Sequence, residues 1–418
     1  MSFQQGLSGL NATSKSLDVI GNNIANASTY GAKAARAEFA DMYAAALNGS
    51  GTNNIGIGTT VATVAQQFNQ GNITTTDNPM DMAINGAGFF QLSDGANPPS
   101  YSRNGQFKID REGYVVANDG KKLMGYTADA TGVIQPGVAV PLQLPTGGIT
   151  PTPTSRIAME MNLDARKPVT APPAPPQINF ADASTYSNAT SLTVYDAKGQ
   201  DIALTYYFQK SAADTWNVFA TANGTTLAGA ANAPTPVTTL TFHPDGTFNA
   251  SSSATISIPA TTNAQGVATL PIAGVGFDLS RATEFGSAFG VTNLTQDGYT
   301  AGQLTAVSVD ASGIVNAKYS NGQSRPAGQV EIATFRNPQG LQPLGHNDWA
   351  STFASGDPVK GAPGTGNLGV LQSGALEESG VDLTGELVNM ITAQRVYQAN
   401  AQTIKTQDQV MQTVVNLR

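Results

Sequence analysis

Cysteine is absent from all 418 residues. That excludes disulfides, thiolate metal sites and thiol nucleophiles. Histidine is nearly absent too, with His243 and His346 alone. His243 lies in Thr241-Phe242-His243-Pro244-Asp245-Gly246, a strand ending in a turn, and His346 sits in a Gly/Asn loop near Trp349. Neither has a Glu or His at metal-ligand spacing, so both read as surface or structural residues. Charged residues make up 12%, about half the usual share of roughly 25%. The net charge of −8, with no Lys/Arg cluster to offset it, argues against a nucleic-acid partner. No stretch reaches the roughly 18 apolar residues of a membrane-spanning helix. The opening MSFQQGL has neither a basic n-region nor an apolar h-region, so it does not read as a secretory signal. A protein of this kind working outside the cell is expected to leave by a route that uses no cleaved signal.

Catalytic signatures are missing as well. There is no Gly-x-Ser-x-Gly elbow and no P-loop. Gly56-Ile57-Gly58 and Gly364-Thr365-Gly366 are too short and isolated to cradle phosphates and read as flexible loops. The paired carboxylates Glu377-Glu378 could serve acid–base chemistry. They lie beside a predicted helix start, where acids favour the macrodipole, and that is the simpler reading. Met80, Met82, Met159, Met161, Met390 and Met411 read as core or seam filling. No catalytic, metal or cofactor site is expected.

What the chain does have is glycine, 44 residues of it, and two amphipathic segments at its extreme ends, Met1 to Tyr30 and Val381 to Arg418. In the second, Leu383, Leu387, Met390, Gln394, Tyr397, Ala401, Ile404, Asp408, Met411 and Val415 follow alternating steps of four and three, a heptad seam. In the first, Phe3, Leu7, Leu10, Ser14, Leu17, Gly21 and Ile24 keep the same rhythm. The apolar members, Phe3, Leu7, Leu10, Leu17, Ile24, Leu383, Leu387, Met390, Tyr397, Ile404, Met411 and Val415, are the candidate polymerisation seam. Each polar interruption forfeits about 1.5–3 kcal/mol of apolar burial, so the two seams together are marginal and need other copies of the chain. Away from the seam, amides such as Asn389, Gln398, Asn400, Gln402 and Gln409 outnumber charges. Amides can be buried in pairs without the cost of burying an ion.

Between the ends the pattern is strand-like. Glu38 to Leu47 could extend a helix, and Gly49 to Gly58 reads as a loop. From Gly71, turn signals at Asn85-Gly86, Asn104-Gly105 and Asp119-Gly120 separate short strands such as Gly88–Leu92, Gln106–Ile109 and Tyr114–Val116. Proline-rich Pro151-Thr152-Pro153 and Lys167 to Pro176 punctuate the chain. A second β region runs from Thr190 to Phe277, with Ile202, Leu204, Tyr206 and Phe208, and then Trp216, Val218 and Ala220, alternating as half-buried antiparallel strands. A third runs from Gly298 to Leu344, and Ser355 to Gly369 reads as a Gly/Pro-rich loop.

The expected fold is therefore α+β and multidomain, with paired N- and C-terminal helices forming a coiled-coil domain and nested, mostly antiparallel β domains between them. The expected divisions are 1–30 with 381–418 for the helical domain and 31–70 with 355–380 for a connecting segment. A β domain of 71–145 with 282–354 and an inserted outer β domain of 146–281 complete them.

The end sequences carry a specific resemblance. Leu17-Asp18-Val19-Ile20-Gly21-Asn22-Asn23-Ile24-Ala25-Asn26, Asp81 to Phe90 and Tyr101-Ser102-Arg103-Asn104-Gly105 resemble the bacterial flagellar rod and hook protein family. Val381-Asp382-Leu383-Thr384, Ala393-Gln394-Arg395, Tyr397-Gln398-Ala399-Asn400 and the ending Asn416-Leu417-Arg418 resemble the same family. The length, the inserted region with Leu192-Thr193-Val194-Tyr195-Asp196, and Gly298 to Leu371 are similar to its hook members. Ala32 stands where the family often has an aromatic and Gly380 where it often has Asn, departures expected to soften local packing. The resemblance implies a homopolymer, a short, curved, hollow tube joining rod to filament as a universal joint, with the paired helices lining its channel. It implies as partners the distal rod, the hook cap, the hook–filament junction proteins and the flagellar type III export apparatus, with no nucleic acid and no membrane insertion. It also implies an extracellular place in the flagellum. The alternatives are a distal rod protein, which shares both ends but lacks so large an insertion, and a secreted β-rich adhesin, which leaves the two terminal heptads unexplained.

Overall fold

The computed structural model describes residues 2–42, 56–129, 131–172, 177–251 and 255–416. The chain is mostly β, with one long helix near each end, α1 (Ser2–Ala25) and α2 (Leu383–Asn416). Its backbone divides into two compact units, Met1–Thr146 with Thr305–Lys318 and Ser324–Arg418, and Gly147–Leu304 with Tyr319–Gln323. The expected boundary at residue 281 falls inside the second unit, because Thr283–Phe285 and Gly290–Gln296 both pair with Arg156–Asp164.

In the first unit, α1 is followed by a two-stranded antiparallel hairpin, β1 (Ala35–Met42) and β2 (Gly58–Gln66). The helix expected from Glu38 is thus a strand as far as Met42; residues 43–47 and most of the expected loop lie outside the described residues. Ala, Glu and Met in β1 favour a helix locally. Pairing with the β-branched run Gly58-Thr59-Thr60-Val61-Ala62-Thr63-Val64 overrides that preference. Beyond the hairpin, Lys122–Thr127 pairs with Phe89–Ser93 on one side and Ser324–Val330 on the other. Phe89–Ser93 continues to Ser100–Ser102 and then Asp348–Ala350. The sheet therefore needs residues from both halves of the sequence. Within the expected loop from Ser355, Val359–Gly361 is a short strand on Ile332–Thr334. An aromatic cluster of Phe68, Phe89, Tyr101, Phe335 and Trp349 fills one side, its rings meeting edge to face.

The second unit packs a five-stranded sheet, centred on Arg156–Asp164 and Ile272–Asp278, against a six-stranded sheet that includes Asp201–Ala212 and Thr215–Ala222. The alternation anticipated for these strands is what builds the core, with Ile202, Leu204, Tyr206, Phe208, Trp216 and Val218 all fully buried. Arg156–Asp164 adds Ile157, Met159, Met161 and Leu163 from the facing sheet. Two of its pairings, with Ile272–Asp278 and Thr283–Phe285, are parallel, an exception in a mostly antiparallel chain.

One turn recurs in both units. Asp110, Asp129, Asp196, Asn263 and Asp310 each accept through Oδ1 the amide of the residue four ahead, at 2.7–2.9 Å. The residue three ahead is each time a glycine with φ between 75° and 88°. An Asp or Asn followed three residues later by Gly is a turn with a mechanism: the side chain caps the loop, and glycine takes the left-handed conformation without strain.

Candidate assembly surface and its anchor

The two helices pack together, and of the heptad seam Ile404 takes part in the closest contact. The face of α1 turned toward α2 carries Gly6, Gly9, Thr13, Ile20 and Asn23, a spacing offset from Phe3, Leu7, Leu10, Leu17 and Ile24. A Cβ on Gly6 would stand 3.0 Å from Ile404 Cγ1, and one on Gly9 would stand 2.9 Å from the Asn400 amide. Two glycines one turn apart let the backbones approach closely, so small residues, not leucines, set the contact. Asn23 closes the lower end, donating to Glu386 Oε1 at 3.2 Å and exchanging two hydrogen bonds with the backbone of Ala35. Gln5 Nε2 donates to the Gly56 carbonyl at 2.6 Å, and the Thr59 amide to Ser8 Oγ, tying α1 to the hairpin. Gly9→Leu is expected to force the helices apart at about 1–3 kcal/mol of overpacking. Hydrogen exchange along α1 and α2 should then accelerate while exchange in the Phe89–Trp349 sheet stays slow.

The predicted seam residues are consequently left open. Phe3, Leu7, Leu383, Leu387, Tyr397, Met411 and Val415 are exposed, with Leu387 at 46% and Val415 at 69%. Leu10, Leu17, Ile24, Met390 and Ile404 are half-buried, and of these Ile404 is the one set against Gly6. Within one chain the close contact is made at Gly6 and Gly9, and most of the expected seam is left exposed or half-buried. Four further apolar residues of α2, Val388, Ile391, Val396 and Val410, are exposed off the heptad. Among the described residues, α2 thus shows nine large apolar side chains to solvent.

Where the helices join the β structure, a buried ion cluster ties three remote segments together. Lys33 Nζ lies 2.5 Å from Glu377 Oε1, and Arg103 Nη1 2.9 Å from Glu377 Oε2. Lys33 follows α1, Glu377 lies in the strand Ala375–Glu377 shortly before α2, and Arg103 directly follows the strand Ser100–Ser102. The Gly71 amide also donates to Glu377 Oε1, Lys33 to the Asn69 carbonyl, and Arg103 to the carbonyls of Ile84 and Gly86. Glu377 is 1% exposed. Burial pushes the Lys33 ammonium below its usual range, against the pull of Glu377, and lowers Arg103 in the same way. The reading of Glu377 as a helix-dipole acid is therefore corrected; its carboxylate is the shared counterion of two buried cations. Ala32 and Gly380, the two departures in packing, meet here, the Gly380 amide donating to the Ala32 carbonyl at 3.2 Å.

None of these three charges was legible as a set, because they come together only through sheet pairing. The available signal was the buried-looking context of each, Arg103 after alternating Tyr101 and Glu377 after Leu376. His243 and His346 are both exposed, and His346 occupies a left-handed turn with Asn347.

Four family descriptions match this chain in order: Flagella basal body rod protein over residues 3–33 and Flagellar hook protein FlgE/F/G D1 domain over 83–167. Flagellar basal body protein FlaE D2 domain follows over 162–299, and Flagellar basal body rod FlgEFG protein C-terminal over 372–417. The chain is 41% identical to the flagellar hook protein FlgE of Salmonella typhimurium and 39% identical to that of Escherichia coli, with all of both sequences covered in each case. It is 33% identical to the Rhizobium meliloti FlgE over its own full length and 98% of that protein. The crystal structure of Helicobacter pylori flagellar hook protein FlgE2 matches with a TM-score of 0.50 at 15% identity, covering 73% of this chain and 100% of that one, a likeness of fold.

Proposed function

The chain belongs to the flagellar hook protein family and is a structural subunit of the bacterial flagellar hook, and on that premise we propose that its two terminal helices drive polymerisation into a hollow tube. The observation that carries this reading is the apolar surface of α2, nine exposed large side chains on a helix already held to α1 by a close contact at Gly6 and Gly9. So many exposed apolar residues on one helix of a monomer mark an interaction site. Other copies of the chain are the partners that cover it, as the heptad Leu383, Leu387, Met390, Tyr397, Ile404, Met411 and Val415 suggests, and the α1–α2 pair becomes a coiled-coil layer only when copies add to it. The inserted region, expected at 146–281 and carried on by its strand pairing to Gln296, is the outer layer in this reading, and low-charge β surfaces give contacts that slide as the tube bends. Export through the flagellar type III apparatus and docking to the distal rod, hook cap and hook–filament junction proteins belong to the same proposal. Full-length similarity to hook proteins favours this over a distal rod role.

The test is polymerisation of the purified chain followed by electron microscopy. Tubes are expected from the intact chain, and none from a chain ending before Leu383. Equal tube formation by the truncated chain would move assembly to the β domains and overturn the reading.

A further inference from the structure

A cleft of about 670 Å³ opens between α1, the β1–β2 hairpin and α2, lined in part by Ala12, Ile20, Ala35, Phe39, Ala393 and Glu386. Its walls mix small apolar side chains with hydroxyls and amides such as Thr13, Ser16, Asn389 and Asn400, and Glu386 is their one acid. Only Glu386 Oε1 is bonded, by Asn23; Oε2 is buried without a hydrogen-bond partner. Arg36, the other charged residue lining the cleft, is engaged with Glu38 at 2.7 Å. The cleft therefore offers a carboxylate short of one donor inside a frame of small, mostly uncharged side chains.

A matching group stands on the same helix. Arg395 is exposed and, among the described residues, has no carboxylate partner. It lies nine residues beyond Glu386, about two and a half turns, which places it on the opposite face of α2. Its own Glu386 is out of reach. Val388 and Ile391, at helical spacing before it, share that outward face and are exposed. An exposed cation without a carboxylate partner complements an acid set among small, mostly uncharged side chains. An Arg–carboxylate pair is the strong, geometrically selective form of such a contact.

We infer that Arg395 of one copy enters the α1–hairpin–α2 cleft of the next and pairs with its Glu386, an interface between copies that builds on the assembly reading above. Reaching Oε2 takes a shift of the half-buried glutamate side chain, which has a single hydrogen bond to lose. The two halves of the contact are different surfaces of one chain, so it is heterologous. Such a contact propagates from copy to copy in an open helical array and does not close on itself as a dimer.

Arg395→Glu is expected to raise the critical concentration for tube growth by about tenfold or more, since it sets two acids against each other. Adding Glu386→Arg to that chain is expected to bring growth back to within about threefold of the parent. Because Glu386 also holds Asn23, a second measurement avoids charge reversal. The parent has no cysteine, so a chain with Glu386→Cys can be mixed with one carrying Arg395→Cys, assembled on parent seeds and treated with a short bismaleimide. Cross-linked pairs that require both variants support the contact and decide the matter if rescue is partial. Unchanged growth of Arg395→Glu, cross-links no more abundant than from either variant alone, or cross-linking of Glu386→Cys to Lys405→Cys in its place would each overturn it. Should Arg395→Glu assemble normally while Leu387→Asp does not, the helices assemble without this pair and only the contact falls. If both assemble normally, the reading it builds on falls too.

Discussion

Leu387→Asp should leave the isolated chain folded and stop tube formation. Leu387 is 46% exposed and lies off the small-residue face that meets α1. In the monomer the new carboxylate keeps most of its water, and surface changes of this kind stay within about 0.5 kcal/mol. In the tube the same side chain is expected to be covered by another copy. Stripping water from an unpaired carboxylate costs several kcal/mol even after relaxation. A penalty of about 3 kcal/mol per subunit raises the critical concentration by more than about a hundredfold. Sedimentation of polymer against monomer, with circular dichroism on the monomer, separates the two effects. Ile404→Asp is the contrasting variant. Ile404 packs over Gly6, so it should loosen the α1–α2 pair within one chain as well as impair assembly. Polymer from Leu387→Asp at the parent's critical concentration would mean that this face of α2 is never buried.

Glu377→Ala is expected to destabilise the first unit by about 3–5 kcal/mol, because it strands Lys33 and Arg103 in a buried site without a counterion. The second unit has its own core around Tyr206, Phe208 and Trp216 and should keep its unfolding transition. Calorimetry would then show one transition falling and one unmoved. Lys33→Met is the informative partner. The cluster holds two cations and one anion, so removing Lys33 leaves a balanced Arg103–Glu377 pair, at an expected cost of about 1 kcal/mol or less. The pH dependence follows from the same charge. The folded chain holds the Lys33 proton less tightly than the unfolded chain, where the pKa is near its ordinary 10.5. In the window just below 10.5 the unfolded chain therefore binds more protons, and the parent gains stability relative to Lys33→Met as pH rises through it. An unmoved first transition in Glu377→Ala would show that the cluster does not hold the helices to the sheet.

The places where local pattern and observed structure part company share a cause. The heptad located both helices and named residues that are exposed or half-buried on them, but it gave no sign of the glycines that meet Ile404 and Asn400 within the chain. Apolar periodicity scores leucines, and the closer contact is made by Gly6 and Gly9, which have no side chain to score. The segment from Glu38 is similar: its helix-forming residues are overruled by a strand partner some twenty positions away. The five Asp- or Asn-to-Gly turns are the opposite case, since each is written in four consecutive residues of the sequence.

The sequence by itself determined the class of protein: two helical ends, a β interior whose alternation fixes which side chains fill the second unit's core, and no thiol chemistry. Those properties are local, set by composition and by periods of a few residues. Tertiary structure alone decided that Lys33, Arg103 and Glu377 form one buried cluster and that Asn23 reaches Glu386 across more than 360 positions. It decided as well which face of α2 borders the cleft. Each of these depends on which distant strands pair and how closely two helix backbones approach, and no stretch of neighbouring residues encodes that distance.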